Sequence, residues 1–148
     1  DPLWSRGLGD VYKRQTCGFL RPETAWFWLS TNFWDKNGQR VGINLASGVN
    51  ESFGNENCLW VNGVLYPLSD VLFEKLDENV WSIRSLNQKL QLVVETGWRR
   101  FENLNLRLVG SQFSQWQSKV SGTIETETGE IIELEYEYAL LEQHYAKW

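Results

Sequence analysis

Residues 131–140 limit the fold more than any other segment, because apolar and charged residues alternate along them. The apolar positions are Ile132, Leu134, Tyr136 and Tyr138, and the charged positions are Glu133, Glu135 and Glu137. A strand places two such sets on opposite faces, whereas a helix would scatter the glutamates around its axis. We therefore expect an antiparallel strand with the four apolar residues buried and the glutamates in water.

Turn signals divide most of the chain into further strands. Asp35-Lys36-Asn37-Gly38, Asn62-Gly63 and Thr128-Gly129-Glu130 each separate two strand-like runs. Asn and Gly tolerate positive φ, and Asn-Gly between apolar runs is a strong hairpin signal. Pro67 should end a strand because it cannot donate to the ladder. The expected strands are residues 26–29, 41–45, 58–61, 64–66, 71–76, 81–84, 90–94, 104–108, 120–126 and 131–140.

Strands at this spacing, without a long helical pattern, predict an all-β barrel or sandwich. The 148 residues are enough for one globular domain, and nine Trp, seven Phe and five Tyr argue against disorder. The net charge of −5 argues against a nucleic-acid partner, whose binding surface would be basic. No apolar run reaches the ~20 residues of a membrane helix, so we expect no membrane span.

The few cysteines, the single histidine and the lack of known motifs argue against several kinds of site. Cys17 and Cys58 are too few for a disulfide framework, and a single histidine, His144, leaves little for zinc. Alternating glutamates on a strand do not form the loop cage of a calcium site. The sequence has no P-loop, dinucleotide-binding or G-x-S-x-G pattern. We therefore expect no metal and no cofactor.

The beginning of the chain looks foreign to the domain. Residues 1–15 (DPLWSRGLGDVYKRQ) have no strand or helix period, and the chain contains no Met. The segment resembles a translated sequencing-adapter scar at the start of a metagenomic gene fragment, which is excluded from fold reasoning. The alternative is an ordinary N-terminal segment. We expect residues 16–148 to be the domain and its location to be cytoplasmic.

Several short segments, taken in order and spacing, carry a resemblance to a known family. They are residues 41–45 (VGINL), 48–51 (GVNE), 56–60 (ENCLW), 81–83 (WSI), 113–115 (FSQ) and 121–123 (SGT), followed by Glu142, His144 and Trp148. Together they resemble the family called domain of unknown function 2804. One departure is Lys119, which stands where the family pattern leads us to expect glycine.

The resemblance implies a lipocalin-like architecture. The family is similar to double-barrel proteins that include carotenoid hydratase-like enzymes, so this chain would be the C-terminal half of a two-barrel protein. The fold expectation is thus an all-β, antiparallel, lipocalin-like barrel or sandwich, and the missing N-terminal half is an expected partner. The family name itself assigns no activity.

The first candidate site lies in the polar loop between two expected strands. It contains Asn50, Glu51, Glu56 and Asn57, with Trp60 shortly after. Two carboxylates can divide acid and base roles if their surroundings separate their pKa values. The alternative is that these Asn and Glu side chains only cap the backbone of the loop. The resemblance favours a site, because both Asn-Glu pairs fall on the family pattern.

The second candidate is His144, two residues after Glu142 and therefore on the same face of a strand. The pair could act in acid–base chemistry or bind a metal, although a single histidine near a chain end is more often structural. We add Trp28 and Gln115 to the expected ligand-binding residues. Seven tryptophans are core or cavity-lining candidates: Trp26, Trp28, Trp34, Trp60, Trp81, Trp98 and Trp116.

These observations favour binding of an apolar or amphipathic small molecule, with Asn50, Asn57, Trp60, Trp28 and Gln115 as contacts. The first alternative is a hydratase- or isomerase-like enzyme acting on an apolar substrate. In it, Glu51, Glu56 and His144 would supply the acid–base steps. The second alternative is a structural or interaction module whose exposed strand edges pair with the rest of a longer protein.

Overall fold

The computed structural model describes residues 22–48, 56–106 and 109–147, which form nine strands and no helix. The strands are β1 (Glu23–Trp34), β2 (Arg40–Ser47), β3 (Cys58–Val61), β4 (Val64–Pro67), β5 (Val71–Asp77), β6 (Val80–Ser85), β7 (Leu90–Leu106), β8 (Val109–Glu125) and β9 (Ile131–Lys147). Within these ranges, no helix long and apolar enough to cross a membrane is found. The prediction of an all-β fold is confirmed.

All nine strands belong to one antiparallel sheet in the order β4-β3-β2-β1-β9-β8-β7-β6-β5. The two edge strands, β4 and β5, are consecutive in the chain and are joined only by residues 68–70. A connection this short brings the two edges together at one end. The sheet therefore curls into a half-barrel, as the barrel prediction requires.

The core fills the concave face of this half-barrel. Residues from eight strands form one buried cluster, which Phe27, Tyr66, Leu68 and Phe73 extend at its margin. On β1, Leu29 and Phe33 face inward, whereas Trp28 and Trp34 lie on the outer face. Curling lets a single sheet bury one face against itself, so no second layer is needed.

The hairpins predicted at Asp35–Gly38 and at Asn62-Gly63 are confirmed. Asp35 closes the β1–β2 turn by accepting hydrogen bonds from the backbone of Asn37 and Gln39, at 2.9 and 2.7 Å. Asn62 and Gly63 join β3 to β4 with φ values of 50° and 86°. Two consecutive positive φ values match the twist of a tight hairpin, which explains the Asn-Gly pair.

The expected strands 90–94 and 104–108 are parts of one 17-residue strand, β7, although residues 107 and 108 lie outside the described ranges. An irregularity between Thr96 and Arg99 divides its pairing with β8. The sequence did not predict the middle of β7, because residues 95–103 (ETGWRRFEN) show no apolar alternation and the structure leaves them largely exposed. The prediction began β8 at residue 120 instead of Val109, because two of its buried positions before that, Ser114 and Ser118, are polar.

The predicted buried face of β9 is correct at its start and wrong after Leu134. Ile132 and Leu134 are buried, but Tyr136 and Tyr138 are 61% and 77% exposed. The pairing moves from Leu134↔Gly122 to Glu137↔Val120, so β9 contains one more residue than β8 at this point. This β-bulge, with Tyr136 at φ 56°, reverses the alternation.

Gly122 lies in β8 beside the bulge, and no residue with a Cβ can replace it without strain. Its φ is 140°, and a Cβ there would lie 2.1 Å from the carbonyl oxygen of Gln91. Because that contact is with backbone of β7, no side chain can move away to relieve it.

We predict that Gly122→Ala lowers the free energy of unfolding by more than about 2 kcal/mol, measured by denaturant unfolding. Gly129→Ala is the matched control, because Gly129 has φ 82° but no atom within 4 Å of its Cβ position. It should cost only about 1 kcal/mol of backbone strain. Equal losses in the two variants would show that the close approach to β7 is unimportant.

Candidate functional site

A group of half-buried side chains lies on the outer face of the sheet, where β1, β9 and β8 run side by side. Two rows of paired residues build it: Trp26↔His144↔Phe113 and Trp28↔Glu142↔Gln115. Each strand contributes two residues separated by one, so all six share a face. We call Trp26, Trp28, Phe113, Gln115, Glu142 and His144 the aromatic–imidazole cluster.

His144 is held between two aromatic rings. Its ring centroid lies 4.1 Å from that of Trp26 and 5.5 Å from that of Phe113, the second contact being edge-on. Its Nε2 atom is 2.8 Å from Oγ of Ser111. Burial lowers the pKa of the imidazole, because desolvation penalises the charged form. A neutral imidazole can accept a hydrogen bond or a proton at the surface of the sheet.

The second row of the cluster is fixed by hydrogen bonds. Gln115 Nε2 donates to Glu142 Oε1 at 2.7 Å, and Trp28 Nε1 donates to Asn44 Oδ1 at 2.7 Å. Asn44 Nδ2 in turn donates to the carbonyl oxygen of Glu56 at 2.9 Å. The indole, the carboxamide and the carboxylate therefore have set orientations, as a binding surface requires.

Both ends of the predicted loop site lie beside the cluster. Gly48, at φ 96°, passes so close to β1 that a Cβ would be 2.2 Å from the carbonyl oxygen of Ala25 and 3.1 Å from Cα of Trp26. At the other end, the carbonyl oxygen of Glu56 is held by Asn44. Asn50 and Glu51 lie outside the described residues, so their catalytic and binding roles stay predictions.

The other residues of the loop prediction differ in exposure and contacts. Glu56 is exposed. Asn57 is 3% exposed, accepts a hydrogen bond from the backbone of Ala46 at 2.7 Å and donates to the carbonyl oxygen of Ser69 at 3.4 Å. These contacts join β2 to the β4–β5 connection and are structural. Trp60 lies on the outer face of β3, paired with Gly42.

The aromatic side chains are divided between the core and the surface. Trp81 and Trp116 are buried, with ring centroids 6.0 Å apart, and Phe27 and Phe73 pack at the same end of the core. The interpretation of the tryptophans as core residues thus holds for two of the seven. Trp34 and Trp98 are 67% and 64% exposed.

Sequence reasoning identified Trp28, Gln115, Glu142 and His144, and the structure brings these four together. It did not single out Phe113 or Ser111 as site residues. The usable signal was the pairing of positions two apart: 26 with 28, 113 with 115 and 142 with 144. Which pairs become neighbours depends on strand order, which no local pattern contains.

The described residues contain no group of three or more His, Cys, Asp and Glu side chains able to hold a metal ion. Cys58 is half-buried, and its Sγ lies 3.3 Å from the carbonyl oxygen of Glu56. Burial raises the pKa of its thiol, which disfavours the reactive thiolate.

Comparison with solved structures finds the same fold in a longer protein. A crystal structure of a protein provisionally assigned as AttH from Nitrosomonas europaea is similar to this chain, with a TM-score of 0.56 and 13% sequence identity. The match covers 95% of this chain and 59% of that one, so this chain spans less than two thirds of that protein. At this identity the likeness concerns the fold alone.

Comparison with family models gives a match over residues 15–148 to the model described as "Domain of unknown function (DUF2804)". None of the curated proteins matches the chain. The family comparison thus supports the resemblance inferred from the sequence segments, and it adds no activity to it.

The lowered pKa of His144 predicts a pH-dependent stability. The folded protein binds a proton at His144 less readily than the unfolded chain does, so the free energy of unfolding falls as pH drops through about 6.5 toward the folded pKa. His144→Gln removes this titration. Denaturant unfolding between about pH 7.5 and 5 should show a larger loss for the original protein than for the variant. Parallel losses would contradict the assignment.

Proposed function

The chain belongs to the domain of unknown function 2804 family, and from this premise we propose that it binds an apolar or amphipathic small molecule on the aromatic–imidazole cluster. One observation carries the proposal: two indoles, a phenyl ring and an imidazole lie half-buried together on the outer face. Outward positions of an antiparallel sheet are ordinarily polar. A contiguous aromatic surface there is typical of a binding site.

The polar members of the cluster suit one end of such a ligand. The Gln115–Glu142 pair and the His144–Ser111 pair lie in adjacent rows beside the rings. A few fixed polar groups within an aromatic surface are the usual composition of small-molecule sites. An alcohol or a carbonyl group at one end of an apolar chain would find both donors and acceptors here.

The test is a binding experiment with farnesol, oleate and a long-chain alcohol as probes, read by Trp fluorescence and by melting temperature. At least one probe should raise the melting temperature, and Trp26→Gln should weaken its binding about tenfold. Trp98→Gln is the control, because Trp98 is exposed on β7 outside the cluster. The proposal fails if no probe binds, or if both variants bind equally well.

A second candidate function is a hydratase- or isomerase-like enzyme, which the geometry of His144 favours. The neutral imidazole beside Ser111 could take a proton from an apolar substrate, with Glu142 on the same face. In that case His144→Gln should lower turnover of the isoprenoid probe by about 10²-fold or more while binding persists, measured by product analysis. Unchanged turnover in the variant would remove His144 from catalysis.

A third candidate is an interaction module that packs against the remainder of a two-barrel protein. The observation in its favour is an apolar surface at the end of β7 and the start of β8. It consists of Leu104, Leu106 and Val109, which share one face and are exposed, while Phe101 is exposed on the opposite face. In a longer protein with a second barrel, these residues would be the natural contact.

A further inference from the structure

A second aromatic surface lies at the other end of β1, separate from the aromatic–imidazole cluster. Here a trough of about 420 Å³ opens on the outer face beside the β1–β2 and β3–β4 turns. We call it the tryptophan trough and define it by the five lining residues Asn32, Trp34, Arg40, Gly42 and Trp60.

The pairing of the strands explains the shape of the trough. One row runs Asn32↔Gly42↔Trp60, and the next pairs Trp34 with Arg40. Gly42 has no side chain, so the side chains of Asn32 and Trp60 can approach each other across it. A Cβ at Gly42 would lie 2.9 Å from Oδ1 of Asn32 and 3.6 Å from the ring of Trp60. The side chains of Asn32 and Trp60 thus meet over Gly42 at one side of the trough, and Trp34 and Arg40 line the other side.

The charges around the trough favour an anionic ligand. Arg40 is exposed, and the cavity lining contains no carboxylate. The nearby Asp35 carboxylate is occupied by the backbone of its own turn and by the side chain of Asn37. Arg40 has no carboxylate partner among the residues that the structure describes, so beside the carboxamide of Asn32 its guanidinium can form a forked pair with a ligand carboxylate.

The two indoles indicate that the rest of the ligand is aromatic. Trp34 is 67% exposed and Trp60 38% exposed, so two large aromatic faces border one small cavity. Aromatic rings pack well on indole faces in offset or edge-on arrangements. A cation would also be attracted to indoles, but Arg40 already supplies positive charge and would repel it.

From this geometry we infer that the tryptophan trough binds a small planar aromatic carboxylate. The ring packs against the exposed faces of Trp34 and Trp60, and the carboxylate pairs with Arg40 and accepts a hydrogen bond from Asn32. The site is independent of the function proposed for the aromatic–imidazole cluster, since the two share no residue.

The experiment uses the whole ¹⁵N-labelled chain, with benzoate as the probe and benzamide as its uncharged counterpart. Benzoate should shift the indole N–H signals of Trp34 and Trp60 in a saturable manner, with a dissociation constant of about 1 mM for so small a ligand. Arg40→Gln should weaken benzoate binding about tenfold and leave the binding of benzamide unchanged. Trp60→Leu should weaken the binding of both.

The control variant is Arg84→Gln, which removes an exposed arginine paired with Glu74 on another part of the sheet. It should leave benzoate binding intact, which separates a specific pair from general charge attraction. Equal weakening by Arg84→Gln and Arg40→Gln would overturn the inference. So would benzoate shifts that do not saturate, or shifts confined to the signals of Trp26 and Trp28.

Discussion

The β-bulge in β9 decides what each face of the sheet presents. Before it, Ile132 and Leu134 face the core; after it, Ala139 and Leu141 do. An unbroken alternation would instead turn the cluster carboxylate and imidazole into the core, where burying them without partners is costly. The candidate site therefore depends on one extra residue in β9 and on the glycine of β8 that accommodates it.

The core and the candidate site lie back to back on the same strands. Leu29 and Leu141 are fully buried on the concave face, while their neighbours Trp28 and Glu142 belong to the cluster on the outer face. A strand whose inner face is packed moves little, so the rings outside are held in place before any ligand arrives. Such pre-organisation lowers the entropy that binding would otherwise cost.

The sequence predicted what depends on neighbouring residues and missed what depends on distant ones. The Asn62-Gly63 hairpin is a local property of two residues that accept positive φ, so the sequence predicts it correctly. The sequence does not predict the bulge, because Tyr136 and Tyr138 continue an apolar alternation that only the pairing with β8 interrupts. Glu142 and His144 were recognised as a pair, but their contacts with Trp26 and Phe113 come from strand order and register.

The central claim is that the outer face, and not the concave core, receives an apolar ligand. Intermolecular nuclear Overhauser effects from bound farnesol test it most directly, because they report which side chains lie within a few ångströms of the ligand. The account predicts contacts from farnesol to the rings of Trp26, Trp28 and Phe113. Contacts to Phe27 and Phe73 at the margin of the core, with none to those three rings, would contradict it.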